Sequence, residues 1–423
     1  MSEEKALVIG IDEKPEPAKW ALLSIQHVFA MFGATVTVPL LTGFPVSVAL
    51  FASGLGTLIY IFITDRKVPI YLGSSFAYIG AVTLAVEAGG HSASQSGLIL
   101  VGLVYVLVAL LIKLIGKDWI DKLLPPIVIG PMIIIIGLGL ASSAISNTEL
   151  VVGGDWRAMV VALVTFAVAA IISTQAKGFF KIIPFICAVV VGYVVACCLG
   201  LVDFSGIVSA SWIACPEFMF PFKLGNFETY EFTVGPAALA MLPVAIVTIS
   251  EHIGDHTVLG KICDKNFLKD PGLDKTLMGD GIATAISGFL GGPANTSYGE
   301  NTGVIGLTKI GSIYVTMGAA CIALVISFCG KFTALIQSIP GCIVGGMGIL
   351  LYGIIASNGL RILVDEKVDF GDSRNLAIAS AMLVIGLGGA AFPLGGSATL
   401  SGTALAAIVG VLLNLLLPEH KEK

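Results

Sequence analysis

Long apolar stretches alternate with short polar segments along almost the whole chain. A helix needs roughly 20 apolar residues to cross the hydrocarbon core of a bilayer, so each stretch predicts one membrane-spanning segment. The predicted segments, about 14 in number, cover residues 20–41, 46–64, 71–88, 95–115, 125–145, 157–174, 182–201, 234–254, 277–291, 294–309, 312–330, 340–358, 375–390 and 399–417. This pattern predicts an all-α polytopic membrane protein.

Two of the stretches begin with small and polar residues instead of bulky apolar ones. The third begins YLGSSFAY and the tenth begins ANTSYGENTG. Backbone that is not helical is tolerated at membrane depth only where protein or a water-filled cavity satisfies its polar groups. We therefore predict a short extended piece followed by a short helix in segments 3 and 10.

The composition leaves little room for a soluble domain. Of the 423 residues, 56% are hydrophobic and 12% are charged, and the mean hydropathy is +0.96, whereas a typical soluble domain has about 25% charged residues. The net charge of −5 argues against a nucleic-acid partner, which requires a basic surface. The eight cysteines form no CxxC pair, which predicts free thiols and no metal site. No cofactor and no cleavable signal peptide are expected.

Positive charge is distributed unequally between the two predicted sides of the membrane. With 14 segments, all 23 Lys and Arg residues except Arg157, Lys223 and Lys331 fall on the side that both termini share. Cytoplasmic loops carry an excess of Lys and Arg, so both termini are predicted to lie in the cytoplasm. The chain is thus expected to be a multi-pass protein of the cell membrane.

The two halves of the chain resemble each other weakly but in the same order. The matching pairs are Gln26-His27 with Glu251-His252, residues 74–80 with 296–303, 109–117 with 323–331, and 125–132 with 340–347. Each half holds seven spans, an odd number, so the second copy is inserted upside down. Inverted repeats with broken helices are the architecture of secondary transporters. The two half-helices are expected to begin near Phe76–Tyr78 and Gly299–Asn301, and the absence of a nucleotide-binding motif favours an ion gradient as energy source.

Glu251 and Glu300 lie within stretches that otherwise predict membrane-buried structure. A carboxylate at bilayer depth costs several kcal/mol unless it is protonated, paired or facing a polar cavity. Asp255 is four residues from Glu251 and shares its helical face, where burial and mutual repulsion raise the affinity of both for protons. Two alternatives stay open. Asp255 and His256 can lie at the cytoplasmic end of the span, where acids cost little, and Glu300 can act as a helix cap.

Small and aromatic residues beside these acids predict a site for a flat ligand. Gly299 lets a ligand approach the backbone, Asn301 offers donor and acceptor groups, and Phe76 and Tyr298 offer ring faces. A single Phe in a span more often belongs to the core. A uracil-like ring presents N–H donors to carboxylates and carbonyl oxygens to backbone N–H groups, whereas two acids repel an anion. Three further polar candidates are expected to pack between helices or at a membrane interface: Gln26, His27 and Tyr352.

The motifs just described resemble the nucleobase–ascorbate transporter family, also called nucleobase:cation symporter 2, in its bacterial uracil permease branch. The matching motifs are LSIQHVFAMFGATVTVPLL in segment 1, YLGSSFAYI in segment 3, SEHIGD in segment 8 and NTSYGENTGVIGLTK in segment 10. The last one fits the family signature from Glu300-Asn301 to Thr308-Lys309. The purine and ascorbate branches usually have Gln at the position of Glu300, and glutamate is typical of the uracil branch.

The resemblance implies uracil:proton symport by an elevator-like movement of a core domain against a gate domain, in a homodimer within the lipid bilayer. It implies these parts: a cytoplasmic tail 1–19, core 20–117, gate 118–205, extracellular loop 206–233, core 234–331, gate 332–417 and a tail 418–423. It also implies residue roles. Glu251 and Glu300 would bond the ring, backbone N–H groups of Phe76 and Gly299 would bond a ring carbonyl, and Ala34, Phe76 and Tyr298 would pack on the ring. Ser75 and Asn301 complete the predicted substrate-binding set.

One position departs from the family pattern. Well-studied uracil permeases have His where this chain has Asp255, and His is the usual proton switch near neutral pH. The predicted proton-coupling residues are therefore Asp255, Glu251 and Glu300, with Tyr352 close by. Alternatives are a xanthine or uric acid:cation symporter of the same family and, less well supported, an anion transporter of the same architecture. An enzyme is not expected, because no nucleophile pair or metal cluster is visible.

Overall fold

The structure, a computed structural model, describes residues 7–177, 180, 183–395 and 398–418. Residues 1–6 of the predicted N-terminal tail and 419–423 of the C-terminal tail lie outside the described residues, as do Lys5, Lys181, Lys421 and Lys423 of the charge asymmetry. The described chain is mostly helical. The helices are α1 Pro17–Thr42, α2 Val46–Ile63, α3 Ile79–Ile115, α4 Asp118–Leu123, α5 Pro126–Gly139, α6 Ala141–Asn147, α7 Trp156–Gln175, α8 Pro184–Cys198, α9 Ser205–Ser209, α10 Pro236–Leu239, α11 Val244–Cys263, α12 Leu273–Phe289, α13 Gly299–Thr308, α14 Ile313–Ser327, α15 Gly330–Gln337, α16 Gly341–Asp365, α17 Ser373–Leu387 and α18 Gly402–Leu416.

The remaining regular elements are short. The strands are β1 Leu72–Ser74, β2 Met219–Phe220, β3 Glu228–Thr229, β4 Asn295–Ser297, β5 Ala391–Gly395 and β6 Ala398–Ser401. They form three two-stranded pairs, β1 with β4, β2 with β3 and β5 with β6. A 3₁₀ turn covers Phe76–Tyr78, and a π-helical turn covers Leu268–Gly272.

Seven helical segments of the described chain are long and apolar enough to cross a membrane: Pro17–Thr42, Val46–Ile63, Phe76–Ile115, Pro126–Asn147, Trp156–Gln175, Pro236–Cys263 and Gly341–Asp365. Four shorter apolar helices accompany them, α8, α14, α17 and α18. The protein is thus a polytopic helical membrane protein by length and composition. The count of 14 spans and the inverted repeat stay predictions.

The two stretches that begin with small residues meet at a short antiparallel pair of strands. Leu72 of β1 lies opposite Ser297 of β4, and Ser74 lies opposite Asn295. Each strand leads into a helical segment, the turn at Phe76–Tyr78 followed by α3 on one side and α13 on the other. The extended pieces therefore occur where segments 3 and 10 predicted them, and the strands satisfy part of each other's backbone polar groups.

Two boundaries differ from the sequence-based expectation. The predicted segments 3 and 4 form one helical stretch, broken only at Gly89 and Gly90, where Gly90 adopts φ 66° and thus the left-handed conformation that glycine tolerates. The predicted end of segment 8 at residue 254 is too early, since α11 continues to Cys263 and His256 is fully buried, which speaks against the alternative of a helix end at Asp255 and His256. The side chain of His256 bonds Tyr60 of α2, a contact that hydropathy alone does not reveal.

Small residues allow the long helices to pack closely. A Cβ atom on Gly102 of α3 would lie 2.5 Å from the carbonyl oxygen of Gly281 in α12, and one on Gly54 of α2 would lie 2.5 Å from that of Ala320 in α14. Close backbone approach of this kind is the usual basis of helix association in membranes. Helices α2, α3, α12 and α14 pack in this manner, while α16 packs on α5 and α7, and α17 packs on α18.

A short N-terminal segment, residues 8–13, binds the connection between α13 and α14. The Val8 N–H donates to the Lys309 carbonyl at 2.6 Å, and the Gly311 N–H donates to the Ile9 carbonyl at 3.0 Å. The Ser312 hydroxyl donates to the Glu13 carbonyl at 2.6 Å. These bonds hold the C-terminal end of α13, the helix whose first turn carries Glu300.

Candidate functional site

Three carboxylates come together between α11 and the first turn of α13. Glu251, Asp255 and Glu300 lie close enough to interact electrostatically with one another, and all three are half-buried. The Ser297 hydroxyl of β4 donates to Asp255 Oδ2 at 3.3 Å. Within the described part of the chain, neither Glu251 nor Glu300 bonds another residue's side chain, and no cation forms an ion pair with any of the three. Such a cluster can bind protons or hydrogen-bond donors of a ligand.

Asn301, next to Glu300, is bound to α1. Its Nδ2 atom lies 3.0 Å from both His27 Nδ1 and the His27 carbonyl oxygen. The amide donates to both, so the ring proton of His27 is on Nε2. The Oδ1 atom of Asn301 is buried and has no partner among the described residues. His27 therefore joins α1 to α13, and Asn301 keeps one free acceptor. Gln26, next to His27 in the chain, is half-buried.

Tyr298 is held against β1. Its hydroxyl donates to the Ser74 carbonyl at 3.0 Å and accepts from the Thr35 hydroxyl at 3.1 Å, and 3% of the residue is exposed. Its ring lies directly over Gly73, where a Cβ atom would collide with it. The predicted neighbour Ala34 is buried on α1 in the same apolar cluster. Tyr298 thus fixes the strand that leads into α13, and its hydroxyl makes its hydrogen bonds to protein groups.

Phe76 and Tyr352 are brought together from distant parts of the chain. Their ring centroids are 6.2 Å apart at an interplanar angle of 74°, an edge-to-face contact. Phe76 is half-buried, and Tyr352 on α16 is buried. The Ser75 N–H donates to the Ala294 carbonyl at 2.9 Å, while the buried Ser75 hydroxyl has no partner among the described residues. The half-buried ring is accessible to a ligand, and the Ser75 hydroxyl keeps unused hydrogen-bonding capacity.

Two clefts reach this region from different sides. One has a volume of about 150 Å³ and is lined by Phe76, Gly80, Leu140, Val244 and Thr403, among others. The other has a volume of about 180 Å³ and is lined by Ala30, Gly33, Phe185, Glu300 and Gly303. Phe76 and Glu300 thus open into separate clefts. No group of three or more His, Cys, Asp or Glu side chains in the described ranges could hold a metal ion.

The sequence analysis missed a buried polar group on α12. Asp280 is 1% exposed, and its Oδ2 atom lies 2.7 Å from Nδ1 of His252 on α11. Asp280 lies within the predicted ninth span, at a depth where the argument used for Glu251 applies equally. The same test applied to every acid inside an apolar stretch would have found it.

His27→Leu is expected to lower the stability of the protein. The substitution leaves the buried Asn301 amide with one acceptor instead of two, and an unsatisfied buried polar group costs about 1–3 kcal/mol. The measurement is the thermal unfolding midpoint of the protein in detergent. Gln26→Leu is the matched control, since the Gln26 side chain bonds no described residue. Equal midpoints for both variants would contradict this role of His27.

Comparison with known proteins identifies relatives along almost the whole chain. Residues 18–395 match the sequence model of the permease family Xan_ur_permease. A uracil permease of Bacillus caldolyticus is 50% identical, over 97% of this chain and 95% of its own. Uracil permeases of Bacillus subtilis (strain 168) and Escherichia coli (strain K12) are 47% and 40% identical, over 99% and 96% of this chain and 97% and 93% of theirs. These proteins are permeases, not enzymes.

Solved structures of transporters share the fold at low sequence identity. The transmembrane domain of a cyanobacterial bicarbonate transporter, BicA, gives a TM-score of 0.63 at 16% identity, over 96% of this chain and all of that one. The murine anion transporter Slc26a9 in its inward-facing state gives 0.69 at 11% identity, over 96% of this chain and 69% of that one. At such identities the likeness shows the fold alone.

Proposed function

The chain belongs to the nucleobase–ascorbate transporter family, the permease family matched by residues 18–395, and from this premise we propose that it imports uracil together with protons. It is an integral protein of the cell membrane and not an enzyme. The observation that carries the substrate assignment is the pair of unpaired carboxylates, Glu251 and Glu300, beside the start of α13. The 40–50% identity to uracil permeases supports the same substrate.

In this proposal, Glu251 and Glu300 accept hydrogen bonds from the N–H groups of the uracil ring. The backbone N–H groups at Phe76 and Gly299, at the starts of their helical segments, donate to a ring carbonyl, because the first N–H groups of a helix have no partner within it. The half-buried ring of Phe76 packs on the flat face of the ligand, which requires the separate clefts beside Phe76 and Glu300 to join around the bound ring. Asn301 and Ser75 contribute their free acceptor and hydroxyl, and Ala34 and Tyr298 form the back of the site.

Proton coupling in this proposal uses the carboxylate cluster. Three acids in contact with apolar surroundings and with no cation cannot all remain ionised at low cost, so the cluster takes up protons. Asp255 stands where the family pattern has histidine, and it binds protons together with Glu251 and Glu300. Tyr352 lies next to Phe76, at the boundary between the two helix groups.

The proposed transport movement is elevator-like, with segments 1–4 and 8–11 as core and segments 5–7 and 12–14 as gate. The close packing of α3 on α12 and of α2 on α14 within one group, and of α16 on α5 and α7 within the other, supports this division. In this proposal the site lies near the contacts of α1 with α8 and of Phe76 with Tyr352 on α16. The 14 spans, the inverted repeat, the cytoplasmic termini and the homodimer belong to the same proposal.

Radiolabelled uracil uptake into proteoliposomes, with and without an inward proton gradient, tests the proposal. Uptake that the gradient stimulates and that unlabelled uracil blocks, but xanthine does not, is the expected result. Inhibition by xanthine would favour the xanthine or uric acid alternative within the family. Uptake of bicarbonate or sulfate in place of uracil would favour the anion transporters that share the fold.

A further inference from the structure

Four buried polar side chains form a cluster behind the uracil site, between α2, α11 and α12. His252 and His256 are on α11, Asp280 is on α12 and Tyr60 is on α2, and each is at most 1% exposed. The imidazole rings of His252 and His256 stack with centroids 3.8 Å apart. None of these side chains has a role in the binding of uracil proposed above, and burying them in a membrane domain is costly unless each is hydrogen-bonded or paired.

The hydrogen bonds define which atoms of the cluster are occupied. His256 Nδ1 donates to the His252 carbonyl at 2.7 Å, so its Nε2 accepts from the Tyr60 hydroxyl. His252 Nδ1 lies 2.7 Å from Asp280 Oδ2, and one proton lies between them. His252 Nε2 and Asp280 Oδ1 remain buried without a partner among the described residues. The His252–Asp280 pair thus has one hydrogen bond between its members and two acceptor atoms without a donor, His252 Nε2 and Asp280 Oδ1.

The charge of this pair is uncompensated. A neutral imidazole beside an ionised Asp280 leaves one negative charge in the membrane domain, and no Lys or Arg in the described part of the chain forms an ion pair with it. Several titratable groups face the pair from the surrounding elements: Glu251, Asp255 and His256 on α11, Tyr60 on α2, Tyr78 in the 3₁₀ turn and Tyr105 on α3. The nearest of these that bear charge are acids, so they favour uptake of a proton by the pair.

We propose that His252, with Asp280 as its counter-ion, is a proton-binding site of the transport cycle. The inference rests on the proposed proton symport and adds a site that the uracil-binding residues do not include. A proton that arrives from water or from the Glu251–Asp255 carboxylates forms an N–H bond at His252 Nε2. The imidazolium and the Asp280 carboxylate then form a buried pair with no net charge. Release of the same proton from Nε2 to water restores the neutral ring.

The neighbouring His256 limits this site to one proton. Its ring lies against that of His252, and two stacked imidazolium ions would repel each other at this distance. The Tyr60 hydroxyl and the His252 carbonyl bond both nitrogens of His256, so His256 has no free nitrogen for a further proton. His256 and Tyr60 are therefore positioning residues, and His252 is the group that carries the proton.

His252→Asn tests the proposal, because the asparagine Nδ2 can still donate to Asp280 while the titratable ring is lost. The measurements, on proteoliposomes and on purified protein, are uracil binding, uracil counterflow and accumulation of uracil driven by an inward proton gradient. We expect binding and counterflow to persist and gradient-driven accumulation to be lost. Tyr71→Phe is the control, since Tyr71 is equally buried but its hydroxyl bonds Ser53 instead of the cluster.

Asp280→Asn is the second variant, and it distinguishes proton binding by the His252–Asp280 pair from a purely structural role of the pair. An asparagine Oδ1 still accepts from His252 Nδ1, but its missing charge weakens the hold of His252 on a proton. As the pH is raised, we expect uptake by this variant to fall at a lower pH than uptake by the wild-type protein.

If His252→Asn accumulates uracil under the proton gradient as the wild-type protein does, the proposal is wrong. Loss of binding and counterflow in His252→Asn would also overturn it, in favour of a structural brace. A wild-type protein that shows no gradient-stimulated uptake would instead refute the proposed function itself.

Discussion

Glu300→Gln is expected to lower the affinity for uracil by about 10- to 100-fold, because hydrogen bonds to charged groups contribute about 1.5–3 kcal/mol. The glutamine keeps the size and shape of the side chain. It replaces one acceptor oxygen with an NH₂ group, which faces the ring N–H of uracil donor to donor. Because the Glu300 carboxylate bonds no other side chain among the described residues, the ligand is the group that loses the bond. The measurement is uracil binding to the purified variant.

The same variant is expected to bind xanthine better than the wild-type protein does. A purine presents both donors and acceptors on its edge, and an amide at this position can match both. Glu228→Gln is the control, since Glu228 is an exposed acid in β3 on the loop that precedes α10. Unchanged uracil affinity in Glu300→Gln would refute the assignment of Glu300 as a substrate ligand. A loss in both variants would indicate an effect of net charge instead.

The sequence predicted the broken helices because their signal is local. Gly, Ser, Thr and Asn replace bulky apolar residues where β1 and β4 lie, and no packing information is needed to detect that. Glu251 and Glu300 were found by the same logic, since an acid within an apolar run is conspicuous. Asp280 carries the same signal and was overlooked, although it sits in a stretch as apolar as theirs.

Other features of the site depend on contacts between distant segments. The Asn301–His27 bond joins residues 274 positions apart, and the Phe76–Tyr352 contact joins the 3₁₀ turn to α16. The length of α11 was underestimated because the polar residues Asp255 and His256 follow directly after the apolar run, whereas His256 is buried by its contact with Tyr60 of α2. Hydropathy describes a residue's own chemistry, whereas these features are decided by the partner that covers it.

Gly73→Ala is expected to lower both the stability of the protein and its affinity for uracil. The added Cβ would lie 2.6 Å from the hydroxyl oxygen of Tyr298 and closer still to the ring. Tyr298 is held by Thr35 and Ser74 and cannot move freely, so the overpacking costs about 1–3 kcal/mol. Because Tyr298 immediately precedes α13, its displacement also moves Glu300. The measurements are the thermal unfolding midpoint and uracil binding to the folded protein.

Gly54→Ala separates the two effects, because its Cβ would meet the backbone of Ala320 in the α2–α14 contact, away from α13. We expect this variant to lose stability and to keep its uracil affinity, whereas Gly353→Ala, which meets nothing within 4 Å, should change neither. If Gly73→Ala keeps wild-type affinity while it loses stability, the position of Tyr298 does not determine that of Glu300. If it loses affinity as expected, the strand pair β1–β4 is the element that sets the distance between the two half-helices, and a single methyl group there is enough to disturb the site.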